Sequence, residues 1–120
     1  MNILPDPSPL TPQASVQHLK TRLDWGEPAL TILDVRDRGL FHANHILGAI
    51  SMPVEELVEQ ALNSLESTRD IYVYGETDEQ TADAANRLRT AGFHSVAELK
   101  GGLAAWQAFK YPVEGHATTF

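Results

Sequence analysis

The chain contains no cysteine. That absence removes disulfides, thiolate metal ligands and a thiol nucleophile together, and leaves nothing that argues for an oxidising compartment. Basic residues are scarce as well: nine Lys and Arg stand against sixteen Asp and Glu, for a net charge of −7, and the nine form no cluster. Without a basic patch, binding to nucleic acid or to an anionic membrane surface is not expected. No apolar run approaches the roughly 20 residues of a membrane span. The opening residues Met1 to Pro9 have neither the basic start nor the apolar stretch of a signal peptide. A soluble, cytoplasmic protein is expected, with its acidity serving mainly solubility.

What is present fits one compact domain of 120 residues, large enough to bury its own core. Residues 1–10 carry Pro5, Pro7 and Pro9 without periodicity, which predicts an extended lead-in to a domain over 11–115, with a short tail over 116–120. From Thr11 the pattern turns helical, with Thr11 as cap, Pro12 in the first turn and Val16, Leu19 and Leu23 at i, i+3, i+7. This helix should end near Trp25-Gly26. The apolar run at 29–35 is expected as a buried parallel strand. Over 54–65, the residues Val54, Leu57, Val58, Ala61, Leu62 and Leu65 share one stripe, with Glu55 and Glu56 in the first turn. That predicts an amphipathic helix.

Ile71-Tyr72-Val73-Tyr74 reads as a second strand that stops at Gly75. A helix over 78–90 turns Ala82, Ala85, Leu88 and Ala91 inward, pairs Asp83 with Arg87 outside, and stops at Gly92. A strand at 95–99 then leads through Gly101-Gly102 into a last helix with Leu103, Trp106 and Phe109, ended by Pro112. Strands alternating with helices imply a single α/β domain, its mainly parallel central sheet flanked by helices and its working edge at the carboxyl ends of the strands.

Three stretches, in this order and at these spacings, resemble rhodanese-like domains over about residues 11–115. The first is Leu33-Asp34-Val35-Arg36-Asp37 followed by His45-Ile46-Leu47-Gly48-Ala49-Ile50-Ser51-Met52-Pro53, similar to the family's opening signature. Asn44 and Leu47 stand where that signature usually has glycine and proline, changes that concern turn geometry rather than chemistry. The second is the strand Ile71 to Tyr74 with a six-residue turn and a helix behind it, where the family has its active-site loop. The third joins Ala91-Gly92-Phe93 to Leu99-Lys100-Gly101-Gly102-Leu103 and Ala105-Trp106, similar to the closing signature.

In active members of that family a cysteine directly after the strand begins the loop, and its thiolate accepts sulfur from thiosulfate or another donor. Inward-pointing backbone N–H groups and the next helix's N-terminus lower its pKa and hold the anion. Carried over by position, the resemblance places Gly75 at the cysteine, Glu76, Thr77, Asp78 and Glu79 along the loop, Gln80 at an arginine and Thr81 at the following serine. Glycine has no side chain to act as nucleophile. Glu76, Asp78 and Glu79 would repel thiosulfate or phosphate. The related phosphatases and arsenate reductases, which need the same cysteine, are excluded with sulfur transfer.

The residues themselves leave three readings of this segment open. Thr77 and Gln80 fit a capping box, with the acidic side chains complementing the helix dipole. The exposed acidic loop, Gly75 through Thr81, is also placed to bind a basic segment of a partner or a cation. Residual catalysis through the Thr77 or Thr81 hydroxyl is the third.

Elsewhere, His42 and His45 with Asp34 or Asp37 nearby fall short of three ligands in fixed geometry, so neither a metal site nor a cofactor is implied. His18, His94 and His116 are scattered. Asp34 and Arg36, at a strand's carboxyl end, are candidates either to edge a pocket or to tie that end to neighbouring loops. Trp106 and Phe109 are expected in the core. The function expected is that of a catalytically inactive rhodanese-like domain, a binding or regulatory module in a sulfur-related or signalling setting, with an unidentified protein partner and an open oligomeric state. The alternatives are cysteine-independent residual activity or a purely structural domain of an assembly.

Overall fold

A computed structural model describes residues 10–26 and 30–115. The expectations for the lead-in over 1–9, for Ala29, and for the tail over 116–120 with His116 lie outside the described residues. In chain order the elements are β1 (Gln13–Ala14), α1 (Val16–Asp24), β2 (Leu30–Asp34), α2 (Arg38–Ala43), β3 (His45–Ile46), β4 (Ile50–Ser51), α3 (Leu57–Ser64), β5 (Asp70–Tyr74), α4 (Asp78–Thr90), β6 (Ser95–Leu99), α5 (Gly102–Ala108) and β7 (Val113–Glu114).

Five strands form an all-parallel sheet in the order β1-β6-β5-β2-β4, and β3 pairs antiparallel with β7 in a separate ribbon. Parallel strands need crossovers, and helices supply them on both faces. Alternate side chains of β5 enter different cores: Ile71 and Val73 pack with Leu57 and Ala61 of α3 and Ala84, Ala85 and Leu88 of α4. Tyr72 and Tyr74 pack with Leu19 of α1 and Trp106 of α5. Burial on both faces is why β2 and β5 are rich in apolar residues instead of alternating with polar ones.

The topology fixes where a site can open. From β2 the chain moves outward to β4, then returns across β2 to β5, so its direction reverses between β2 and β5. Open α/β sheets have their crevice at such a reversal, beyond the carboxyl ends of the strands. Here those ends are in register, Asp34 beside Tyr74, and the Val35 N–H donates to the Tyr74 carbonyl at 3.0 Å. Asp34, Arg36 and Gly75 therefore meet at one place.

Several local expectations are corrected. Thr11-Pro12 does not open α1. Gln13 and Ala14 pair with Glu98 and Leu99 as an edge strand, and the helix begins after Ser15, whose Oγ accepts from the His18 N–H at 3.0 Å. Sheet pairing overrides the helical spacing there. The helix expected over 54–65 begins only at Leu57, because the Val54 N–H donates to the Val35 carbonyl at 3.1 Å and holds 54–56 in a turn. Leu62 is exposed and Glu59, not Glu55 or Glu56, lies in the first helical turn. On α4 the inward set is Thr81, Ala84, Ala85 and Leu88, with Ala82 and Ala91 only half-buried. Trp106 is fully buried as expected, whereas Phe109 is half-exposed and stacks on Tyr111.

Candidate functional site

The segment after β5 is shorter than a six-residue loop. Only Gly75-Glu76-Thr77 lies outside regular structure, and Asp78, Glu79 and Gln80 form the first turn of α4. Thr77 is the cap, its Oγ1 accepting from the Gln80 N–H at 3.0 Å. In a capping box the Gln80 side chain would return to the Thr77 N–H. It reaches one residue further, and its Oε1 accepts from the Glu76 N–H at 2.7 Å. Buried Thr81 accepts from the Gly75 N–H at 2.8 Å and donates to the Thr77 carbonyl at 3.0 Å. Asp78 Oδ1 accepts from the Gly101 N–H at 3.1 Å while Oδ2 lies 3.5 Å from Lys100 Nζ. Three backbone donors around the crevice are thus closed by oxygens of the chain itself.

Gly75 and Gln80 form a matched pair. A Cβ built on Gly75 would lie 2.5 Å from Gln80 Oε1 and 3.1 Å from Gln80 Cβ. Gly75 is not among the glycines with positive φ, so its backbone conformation does not require glycine. What crowds a side chain at 75 is the Gln80 side chain, whose carboxamide would have to move aside to admit it.

Beside this pair an open cleft of about 290 Å³ runs between the β5–α4 turn and α5, with Arg36 and Gly75 toward the strand ends, Leu40 and Leu103 on its walls and Glu76 and Gln107 along its lining. Of the three loop carboxylates, Asp78 is held by Gly101 and Lys100. Glu76 and Glu79 are exposed, and among the described residues no ion pair engages either. The free negative charge of the loop is therefore two carboxylates rather than three.

Behind the cleft Asp34 and Arg36 are both buried. Asp34 accepts from the Arg36 backbone N–H at 3.0 Å, and Arg36 Nη2 donates to Asp34 Oδ2 at 2.7 Å and to the Asn44 carbonyl at 2.6 Å. Burial works against the Arg36 charge, but the hydrogen bonds and charge of Asp34 outweigh it and hold the guanidinium above its ordinary pKa. The guanidinium carbon lies 5.6 Å from the centre of the Tyr74 ring, and the Tyr74 hydroxyl accepts from the Ile46 N–H at 3.1 Å. Burial first, then the Asp34 charge, push the Tyr74 hydroxyl far above the ordinary tyrosine range, so it stays neutral. Arg36 reaches the cleft with its charge already spent on Asp34.

The two histidines lie on different elements. His42 is on α2 and His45 in β3. The His45 ring stacks on Phe41 at 3.7 Å, with Nδ1 2.6 Å from the Phe41 carbonyl and Nε2 3.2 Å from Glu114 Oε1. Glu114 is held below the usual carboxylate range, first by the Gly48 N–H and then by His45. A depressed carboxyl contributes stability above its unfolded pKa and loses it as pH falls through the folded value. The stability difference between wild type and Glu114→Gln should therefore shrink as pH drops through and below the carboxylate range. Urea unfolding at a series of pH values checks this, and a difference independent of pH would remove Glu114 from the acid response.

Sequence reasoning does not find Leu40, Leu103, Ala104 or Gln107 as cleft residues. Leu40 belongs to α2, a six-residue helix with no buried residue and hence no apolar period to read. The usable signal was Gly101-Gly102. Both have positive φ, and a Cβ on Gly102 would come within 3.3 Å of the Gly75 carbonyl oxygen, so these glycines let the start of α5 approach the end of β5.

Comparison with known proteins agrees with the topology. A family model described as Rhodanese-like domain matches residues 15–109. The crystal structure of the Alr3790 protein from Anabaena sp. superposes with a TM-score of 0.85 at 59% identity, covering 88% of this chain and 94% of that one. The uncharacterized protein YqhL of Bacillus subtilis is 33% identical over 75 residues, 62% of this chain, and the putative sulfur carrier protein YrkF of the same organism is 30% identical over 95 residues, 79% of this chain. The match spans 59% of the length of YqhL and 50% of that of YrkF. Fold and matched residues agree: the chain belongs to the rhodanese-like domain family, as a member with no cysteine to place after β5.

Proposed function

We propose that this domain does not transfer sulfur and instead works as a binding or regulatory module, through the face formed by residues 75–81 and the strand edge at Arg36, with buried Asp34 holding that edge from behind, for a protein partner with a basic segment. The observation that carries the reading is the Gln80 carboxamide, which stands 2.7 Å from the Glu76 N–H in the space beside Gly75. With the Gly75 and Glu76 N–H groups already held by Thr81 and Gln80, neither is free to bind a thiosulfate oxygen. The exposed Glu76 and Glu79 give the same face a negative sign, which favours cationic partners and disfavours anionic donors. Residual catalysis through Thr77 or Thr81 is disfavoured because both hydroxyls already serve the turn.

YrkF is described as a putative sulfur carrier, which supports a sulfur-related setting for the partner. A cytoplasmic setting belongs to the same proposal. Among the described residues no helix is long and apolar enough to cross a membrane. The test is capture of proteins from the source organism with wild type and with Glu76→Lys/Glu79→Lys, the fold of both verified by matching thermal melts. Partners held by wild type should be lost with the variant. Retention of every partner would overturn the role of this face.

A further inference from the structure

The C-terminal end of the described chain has little packing to hold it. Both residues of β7 are exposed, and its ribbon with β3 is only two residues long. The Leu47 N–H donates to the Pro112 carbonyl at 3.2 Å, and Gly115 lies so close to the end of α2 that a Cβ there would stand 2.5 Å from the Ala43 carbonyl oxygen. Residues 113–115 thus form a strap over the end of α2, and Phe41, His42, His45, Glu114 and Gly115 line a pocket of about 390 Å³ from both sides. The side chain that fastens the strap is Glu114, whose Oε1 accepts from the Gly48 N–H at 3.2 Å and meets His45 Nε2 at 3.2 Å.

The two contacts of the His45 ring fix its proton count. A carbonyl oxygen only accepts, so the 2.6 Å contact between Nδ1 and the Phe41 carbonyl requires a proton on Nδ1. An ionised carboxylate also only accepts, so the Glu114 contact requires a second proton on Nε2. Neutral imidazole satisfies one of these contacts, and imidazolium satisfies both. Stacking on Phe41, with 9° between the ring planes, gives that cation an aromatic face. We infer that His45 is a proton-dependent latch: as imidazolium it fastens the strap at 113–115 through Glu114, and on losing the Nε2 proton it releases it. The Nδ1 bond to α2 is the shorter of the two, so release falls on the strap. Around the ring, β7 presents Glu114, and α2 presents His42, which lines the same pocket, and Arg38, paired with Glu56 at 2.6 Å. Arg36 reaches the neighbouring Asn44 carbonyl with its charge matched by Asp34, and the neutral Tyr74 hydroxyl accepts from the Ile46 N–H. Helix α5, which also packs on β3, carries no titratable side chain. The latch holds while Nε2 is protonated and Glu114 ionised. It therefore opens as pH rises through the His45 titration, and separately as pH falls through the depressed Glu114 value. This device does not depend on the binding role proposed for residues 75–81.

The test titrates the full chain, labelled with ¹⁵N, upward from about pH 5.5, below the ordinary histidine value of about 6.5, until the His45 ring ¹⁵N signals report loss of a proton. The strap is read from the hydrogen-exchange protection factor of the Leu47 amide, which donates across the ribbon to Pro112. At the starting pH both His45 ring nitrogens should be protonated and the amide protected. As the ring loses its proton, protection should fall about tenfold, the value of one charge-assisted hydrogen bond. In Glu114→Gln protection should not follow the ring, because a carboxamide can accept from Nε2–H or donate to bare Nε2. In Glu114→Ala protection should be low at every pH. A His45 ring with a single proton while the amide is fully protected, protection unchanged across the ring's deprotonation, or the same fall in Glu114→Gln would overturn the latch.

Discussion

Gly75→Cys alone is expected to yield a less stable protein with no useful sulfur transfer. The new Cβ would stand 2.5 Å from Gln80 Oε1, so the carboxamide must swing away and leave the Glu76 N–H without its acceptor. Crowding and the lost hydrogen bond together should cost about 1–3 kcal/mol. The thiol would also sit next to the Glu76 carboxylate, which disfavours its thiolate and repels thiosulfate. Gly75→Cys combined with Gln80→Arg and Glu76→Gln removes both obstacles and adds a guanidinium. Freeing one preorganised donor and reversing the local charge should raise thiocyanate formation on the order of a hundredfold over the single variant. Equal rates for the single and triple variants would show that Gln80 and Glu76 are not what closes the site. A thiol pKa well below the ordinary cysteine range in the single variant would count against the electrostatic part.

Arg36→Ala is expected to cost about 3–5 kcal/mol, read as a shift in the urea midpoint, because it strands a fully buried carboxylate. Asp34 would keep the backbone N–H of residue 36 and the neighbouring Tyr74 hydroxyl but no cation, and the Asn44 carbonyl would lose its donor at 2.6 Å. Arg36→Lys should not restore the loss, since an ammonium cannot bond Asp34 in bidentate fashion and reach Asn44 as well. Asp34→Asn with Arg36→Met should recover much of it, because both charges leave together. A cost for Arg36→Ala below about 1 kcal/mol, the range of exposed ion pairs, would mean that the pair does not hold the strand end.

Most of the fold was legible because its signals are local and repeated. The doubly buried strands β2 and β5 show as apolar runs, and α4 shows both its period and its Asp83–Arg87 pair, found at 2.9 Å. What escaped was decided by partners distant in sequence. Gln13 and Ala14 become a strand only because β6 lies alongside, and Val54 is held in a turn by the Val35 carbonyl. The site was legible at Gly75 and Thr77. Asp78 reads as a dipole-complementing acid, yet its oxygens are held by Gly101 and Lys100, more than twenty residues away. The Gln80 carboxamide follows the same logic: a capping box can be read from spacing, but its reach to Glu76 and its occupation of the space beside Gly75 depend on how the turn folds back.

Thiocyanate formation from thiosulfate and cyanide, measured on the purified 120-residue chain after treatment with iodoacetamide, tests the loss of sulfur transfer most directly. The reagent silences any cysteine enzyme carried through purification and finds no thiol in this chain. A rate equal to that of buffer is the expected result. Turnover above buffer that survives the reagent and follows the protein through a second purification would contradict it.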